Sequence, residues 1–344
     1  MKAIRMIAAG KPLEMQEIPI PPAGDEDVLV RVRAAGICHS DAHYRAGRSA
    51  MGMLPITLGH EVAGEIEWVG ANVTSLERGE RVCLHYNISC GACYYCRRGY
   101  EQFCTTVKMI GHHIDGGYAE YIAVPARNAI PLPEEISFAE GATLMCASAT
   151  ALHALHKARI KEGETAAVFG IGGLGLSAIQ LAKALGAVEV YAVDIKPDKL
   201  ELASEYGAIP VDAARLDAVG EIRRLTNGRG VDVALEMIGL PVTMRQTIES
   251  LGMLGRAVIV GLGESHVEVH PYRTLIGREA EIIGSNDHLL EELPLLIDMA
   301  RRKVLDTSQV VSQIIPLDPD KINGRLDDLE QYTNDIRAVI VQHD

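Results

Sequence analysis

Four cysteines, Cys90, Cys93, Cys96 and Cys104, stand in the run CGACYYCRRGYEQFC with the spacing C-x2-C-x2-C-x7-C. Short loops at such spacing bring four thiolates onto one tetrahedral zinc. A site closed by four sulfurs leaves no position for water or substrate, so the motif predicts a structural metal. Two disulfides are disfavoured, because the chain has 7 cysteines and opens without a signal-peptide pattern. A ferredoxin-type iron–sulfur cluster uses similar spacings and stays as the alternative.

A second chemistry is written in GIGGLG, where Gly170, Gly172 and Gly175 have the G-x-G-x-x-G spacing. The motif follows an apolar strand and opens a helix, the setting in which it binds a dinucleotide. Gly170 permits a tight turn, Gly172 lets the backbone approach a pyrophosphate, and Gly175 lets helix and strand pack closely. The helix N-terminus receives the anion. Asp194 closes the next strand, where its carboxylate can accept from ribose hydroxyls and would repel a 2′-phosphate. That favours NAD over NADP. Lys196 and Lys199 follow it; either could soften the preference, and the alternative for Lys199 is a place beside the ribose.

The remaining thiols and imidazoles are scattered. Cys38 lies in AAGICHSD, His60 in TLGHEVAGE and Cys146 in TLMCASAT. Spacing alone does not make these three a site. His112 and His113 read as loop residues, and Cys83, in ERVCLHY, as a buried small hydrophobe.

The elements that must carry these residues follow from composition and rhythm. The chain has 344 residues, 48% of them hydrophobic, which predicts two domains with separate cores. A net charge of −13 argues against nucleic acid or an anionic membrane surface as partner. With no apolar run of about 18 residues to span a bilayer, a soluble cytoplasmic protein with a small-molecule substrate is expected. Residues 1–147 alternate apolar and polar positions between Gly and Pro breaks, as in 28–36, 60–70 and 116–124, the period of short antiparallel strands. Residues 148–286 alternate strands (165–170, 188–194, 231–237, 255–261, 280–284) with helices (Leu174–Leu185, Lys196–Tyr206). That is a doubly wound parallel sheet, the Rossmann arrangement. The tail, 287–344, holds a helix over Leu289–Lys303 and a strand over 336–341, and is expected to rejoin the first domain. The apolar strand Ala257–Val260 offers a sheet extension across a two-fold axis.

Taken together, CHSDAH (38–43), LGHEVAGE (58–65), the four-cysteine lobe (about 88–106), DGGYAEY (115–121), LMCASAT (144–150), GIGGLG with Asp194, and the closing IRAVIV resemble the zinc-dependent alcohol dehydrogenases of the medium-chain dehydrogenase/reductase superfamily, in their bacterial and archaeal form. The resemblance runs over essentially the whole chain. It implies an α/β protein with a GroES-like, mainly β catalytic domain (1–147 and 287–344) and an NAD-binding Rossmann domain (148–286). It implies that Cys38, His60 and Cys146 bind a catalytic zinc, giving two zincs per chain with the structural one. Glu61 stands just behind the catalytic metal, able to visit it or to pair with Arg337, the arginine that reaches the cofactor pyrophosphate. The cofactor set is Gly170, Gly172, Gly173, Leu174, Gly175, Asp194, Lys199, Thr150, Leu262 and Arg337. Two thiolates and a neutral imidazole leave the metal formally neutral with one open position, where an alcohol becomes alkoxide before hydride leaves for the nicotinamide. Ser40 and His43 carry the proton to solvent, and Asp41 hydrogen-bonds the second nitrogen of His60.

The implied activity is reversible, NAD-dependent oxidation of primary or secondary alcohols. Polyol and threonine dehydrogenases of the superfamily carry a glutamate where this chain has Cys146, and remain an alternative. Zinc-free quinone reductases lack both metal sets, and a non-catalytic cofactor-binding relative usually loses ligands or relay residues. Ser40, Tyr86, Asn87, Ile88, Leu262 and residues 286–288 are expected along the substrate pocket. A homo-oligomer is expected, a tetramer rather than a dimer.

Overall fold

The computed structural model describes residues 1–263, 266–308, 311–331 and 337–342. The chain divides into two compact units, Met1–Cys146 with Leu289–Asp344, and Ala147–His288.

In the first unit the long strand Asp27–Ile37 organises the sheet. Val28, Val30 and Val32 point into the core while Arg31 and Arg33 stay half-exposed, and from Ala34 to Ile37 every residue is buried. The period-2 pattern thus gives way to full burial as the strand runs toward Cys38. It pairs antiparallel with Glu61–Val69, Tyr121–Pro125 and Ala338–Val341. The sheet continues through Arg81–Leu84 to Ala129–Pro131 on one side and to Gln313–Ile315 on the other. Ile4, Met6, Ile56, Leu58, Val62 and Tyr118 are among the fully buried side chains of this unit's core. At about 1.5–3 kcal/mol for each large apolar side chain, this core holds the strand ends firmly.

The tail returns to this unit, with Ala338 opposite Ile37 and Val341 opposite Ala34. Ile336, the first residue of the expected strand, lies outside the described residues. Two other expectations shift. The ladder expected over 116–124 starts only at Tyr121. Gly116 and Gly117 lie flat against Gly59 and Val62, where a Cβ would collide with the Gly59 carbonyl and the Val62 side chain, so the segment turns before it pairs. The helix expected over Leu289–Lys303 is a 3-10 turn, Leu290–Glu292, followed by the helix Leu293–Arg301. Pro294, with no N–H to give, sits where the α-helix begins.

The second unit is a six-stranded parallel sheet in the order Ile209–Asp212, Glu189–Asp194, Thr165–Phe169, Val231–Glu236, Leu251–Ile259, Glu281–Gly284. The central strand Thr165–Phe169 is buried at every position, as expected where helices cover both faces. Its neighbours run to the same end, which makes that end a topological switch point. The strand Ile209–Asp212 went unanticipated because Pro210 interrupts it. Such a strand is tolerated at a sheet edge, which is where it lies. One expectation is corrected here. Ala257–Val260 falls largely within an interior strand, paired on both sides, and cannot extend the sheet. The free edge on that side is Glu281–Gly284, with Ile282 39% exposed.

Candidate metal centres and nucleotide loop

Cys38 and His60 meet because their strands are in register. Gly36 lies opposite Glu61, so the residues just beyond the paired ends, Cys38 and His60, fall side by side. Gly36 is needed there, since a Cβ would collide with the Glu61 carboxylate. Gly59 turns the chain into its strand with φ +92, and a Cβ on it would collide with the Tyr118 ring. Cys146 arrives from elsewhere, in the π-helical turn Leu144–Ser148 that follows the capped helix Phe138–Thr143. A π turn re-aims a side chain that a regular helix would send elsewhere.

The result is a cluster in which ligand atoms of Cys38, His60, Glu61 and Cys146 all lie within 4.8 Å of one another. The two sulfurs are 4.0 Å apart. Four ligands on one zinc at about 2.3 Å sit about 3.8 Å from each other, so the spacing suits a single ion. The donor set, two sulfurs and an imidazole with a carboxylate behind, is the borderline-soft kind that zinc takes. Glu61 is fully buried, one oxygen pairs with Arg337, and Oε2 has no hydrogen-bond partner among the described residues. A buried carboxylate oxygen without a donor, on a residue of this cluster, is what a cation would relieve.

Electrostatics inside the cluster are tightly linked. The hydrogen bond with Cys146 holds the Cys38 thiol well below its ordinary range, against burial, and the same bond pushes Cys146 up. Burial alone would lower His60, yet the Asp41 charge beside it raises it well above an ordinary histidine. Burial pushes Glu61 up to about 8, opposed by Arg337. Arg337 stays charged, since Glu61 and the thiols outweigh its own burial.

Asp41 supports both ligand-bearing turns at once. Fully buried, it accepts from the Cys38 N–H at 2.9 Å, the Gly59 N–H at 3.2 Å and the Tyr118 hydroxyl at 3.1 Å. His60 Nδ1 lies 3.5 Å from its Oδ1, long for a hydrogen bond and close enough for a charge contact. Sequence reasoning missed Tyr118 as a partner, although it stands in DGGYAEY. Ser40 Oγ lies 3.8 Å from Cys38 Sγ. His43 is one turn further along the helix His39–Arg45, half-buried, its pKa lowered by burial and then by the Arg48 charge. Tyr86 is buried and meets His60 edge-on, with ring centroids 5.1 Å apart. Asn87 is buried and Ile88 half-buried. His288, expected along the pocket, is fully buried with Nδ1 3.1 Å from Asp287.

The four-cysteine lobe is built differently. All four sulfurs lie within 4.8 Å, with Cys90–Cys96 at 3.9 Å and Cys93–Cys96 at 3.5 Å, and none is in a disulfide. This again matches one tetrahedral ion, whose edges are about 3.8 Å. Cys93 N–H donates to Cys90 Sγ and Cys90 N–H to Cys104 Sγ, each at 3.3 Å. The N–H groups of Cys96 and Thr105 bring the Cys93 thiol down to about 6, so a thiolate is at hand near neutrality. Gly91 and Gly99, with φ +69 and +76, supply the turns. Tyr94, Tyr95, Tyr100 and Phe103 stand exposed around it, so the lobe has little core of its own. Elsewhere, His112 and His113 face each other, Nδ1 to Nδ1 at 3.2 Å, and His112 meets Tyr44 edge-on. Cys83 is fully buried and its thiol is pushed up to about 12 by burial.

In the second unit the glycine turn follows Thr165–Phe169. Gly170 has φ +95 and faces Ile238, Gly172 opens the helix Gly173–Ala184 with free space where its Cβ would stand, and a Cβ on Gly175 would collide with the Gly170 carbonyl. Asp194 closes over this turn, accepting Ile171 N–H at 2.7 Å on one oxygen, and Ile195 and Lys196 N–H at 2.7 and 3.0 Å on the other. Gly173 and Leu174 form the first turn of that helix, Thr150 and Lys199 are half-buried, and Leu262 is 74% exposed.

Comparison with known proteins gives a consistent result. The alcohol dehydrogenase GroES-like domain model matches residues 24–134, and the zinc-binding dehydrogenase model matches 173–301. The chain is 36% identical to an NAD-dependent alcohol dehydrogenase of Sulfurisphaera tokodaii, covering 99% of this chain and 100% of that one. It is 31% identical to a sorbitol dehydrogenase of Bacillus subtilis, over 96% and 94% of the two chains. A crystal structure described as a zinc-binding dehydrogenase from Sinorhizobium meliloti bound to NADP superposes with a TM-score of 0.92 at 31% identity, over 99% of each chain.

Proposed function

The chain belongs to the zinc-dependent alcohol dehydrogenases of the medium-chain dehydrogenase/reductase superfamily, and we propose that it oxidises primary or secondary alcohols to aldehydes or ketones, reversibly, with NAD. One observation carries the reading: two thiols and an imidazole from distant segments converge in a buried cluster spaced for a single ion. When bound there, zinc would acidify an alcohol hydroxyl and polarise a carbonyl, while the dinucleotide supplies the hydride acceptor.

This chain's own residues do the rest. Cys38, His60 and Cys146 hold the metal, and Asp41 fixes the two turns that present Cys38 and His60. Ser40 takes the alcohol proton and passes it toward His43, whose lowered pKa keeps it a neutral acceptor at pH 7. Glu61 with Arg337 balances charge behind the metal, and the other donors of Arg337 serve the pyrophosphate. The glycine turn and the helix starting at Gly173 hold the dinucleotide. The Asp194 charge favours NAD, although a relative binds NADP. Cys90, Cys93, Cys96 and Cys104 hold a second, structural zinc, making two per chain. The unit Met1–Cys146 with Leu289–Asp344 is the catalytic domain and Ala147–His288 the nucleotide domain.

No described helix is long and apolar enough to cross a membrane. The free cysteines suit the cytoplasm, and a homotetramer is the assembly we assign. Polyol oxidation is the second reading. Relatives include sorbitol and (R,R)-butanediol dehydrogenases, and the Glu61 carboxylate lies within the cluster. The experiment is a panel of primary, secondary, benzylic and vicinal-diol substrates with NAD and NADP, on protein whose zinc has been counted. NADH from simple alcohols, at two zincs per chain, supports the proposal. Turnover of polyols alone supports the second reading, and no turnover with any substrate contradicts both.

A further inference from the structure

The strand Val231–Glu236 ends on a carboxylate with no role in the reading above. Glu236 is fully buried. Its Oε1 accepts from Ile238 N–H at 3.0 Å, Gly239 N–H at 2.9 Å and the Thr243 hydroxyl at 2.6 Å, while Oε2 accepts from Gly239 N–H at 3.1 Å. Its backbone carbonyl accepts from Val260 and Gly261 N–H at 3.0 and 3.1 Å. One residue thus ties the loop after its own strand to the loop after Leu251–Ile259. A buried charge is costly unless it is fully met by donors, and here it is met by loop atoms, so its effect is spent on loop geometry.

The loops so joined touch backbone to backbone. A Cβ on Gly239, at φ +92, would collide with the Leu262 carbonyl, and a Cβ on Gly261 or Gly263 with Gly239. The same loop reaches the glycine turn, because a Cβ on Gly170 would collide with Ile238. Three strand ends, those of Thr165–Phe169, Val231–Glu236 and Leu251–Ile259, are therefore interlocked around one carboxylate.

Sheet order says what stands above them. Asp194 ends the strand on one side of Thr165–Phe169, and Glu236 ends the strand on the other. A dinucleotide lies across this switch point, so with its adenosine at Asp194 its other half falls over the Glu236 side. We propose that Glu236 is a positioning residue for the nicotinamide half of the cofactor, setting the height of Ile238 and of the exposed Leu262 beside the glycine turn. The proposal rests on the dinucleotide reading above.

The test compares dissociation constants for NADH and for ADP-ribose, which lacks the nicotinamide, in the zinc-loaded wild type, Glu236→Gln and Thr243→Val. Glutamine keeps the shape but turns one acceptor into a donor facing the loop N–H groups. Loss of a charge-assisted bond predicts NADH binding weaker by about tenfold in Glu236→Gln and about threefold in Thr243→Val, with ADP-ribose within about twofold of wild type. Equal weakening of both ligands would mean general damage to the domain and would overturn the proposal, as would unchanged NADH binding in both variants. If Glu236→Gln does not fold, Thr243→Val decides by the same criterion. A wild type that binds neither ligand would instead bring down the dinucleotide reading, and this proposal with it.

Discussion

The two sulfur-rich centres contrast in how the chain builds them. Cys90, Cys93, Cys96 and Cys104 come from one loop, ringed by exposed aromatics, with N–H groups of the same loop bonded to the sulfurs. Cys38 and Cys146 are 108 residues apart, and with His60 they are carried to one place by strand register, a glycine turn and a π-helical turn. The loop centre has little else to hold it, so a metal bound there would supply folding free energy. The distant centre is held by the sheet and by the buried Asp41, so a metal bound there would be free to do chemistry with a position left open. On the proposed function, locality goes with a structural site and assembly from afar with a catalytic one.

Substitutions can break this contrast. The largest effect is expected for Cys38→Ser, which on the proposed function removes a metal ligand while leaving the sheet that carries it intact. Turnover should fall by about 10⁴-fold, about 5.5 kcal/mol in the barrier, while the melting temperature stays near that of wild type. Steady-state rates beside a thermal melt check it, and a large drop in melting temperature would show that the distant centre also holds the fold.

Cys104→Ala should do the reverse. Loss of the loop metal leaves three thiols converging on a lobe with little core, and a cost of about 3 kcal/mol is expected, against about 10–16 kcal/mol for zinc in isolated finger peptides. Thermal melting and residual turnover of the folded fraction are the readouts. Unaltered melting with lost turnover would mean that the two centres have been exchanged.

The third substitution sharpens the account away from the metals. Asp194→Gly should abolish a wild-type preference for NAD of about 100-fold in kcat/KM, because charge-assisted bonds of about 1.5–3 kcal/mol are lost and the repulsion of a 2′-phosphate is relieved. Lys196 and Lys199 stand nearby to meet that phosphate. Measuring both cofactors in both proteins decides it, and an unmoved preference would take Asp194 away from the ribose.

The smallest effect is expected for His43→Gln. Burial lowers the His43 pKa, so it stays neutral and able to accept a proton down to lower pH than an ordinary histidine. The alcohol-oxidation rate should drop by about tenfold near and below neutrality, recover as hydroxide takes over at high pH, and be partly restored by added buffer base. A loss equal at every pH and indifferent to buffer would remove His43 from the proton path.

What was legible in the sequence follows the same division. The loop centre and the glycine turn are local, so spacing alone brought them into view. The set Cys38, His60 and Cys146 is non-local, and only resemblance to a family joined it. Asp41 was expected beside His60 alone, whereas it also accepts from Gly59 and Tyr118, a consequence of strand register that no short motif displays. The helix Pro319–Glu330 was not anticipated: Asn323 and Gly324 inside it are weak helix formers, and its signal is the cap, where Asp318 accepts Lys321 N–H. Glu236 gave no signal, since an acid at the end of an apolar strand looks like any solvated strand end until its donors are seen.

The most direct measurement is the zinc-to-chain ratio, taken with turnover, for wild type and Cys146→Ser. Two zincs falling to one, with turnover lost and the melting temperature kept, is the predicted result. Two tightly bound zincs and a near-normal rate in Cys146→Ser would contradict the assignment of the distant centre as the catalytic one.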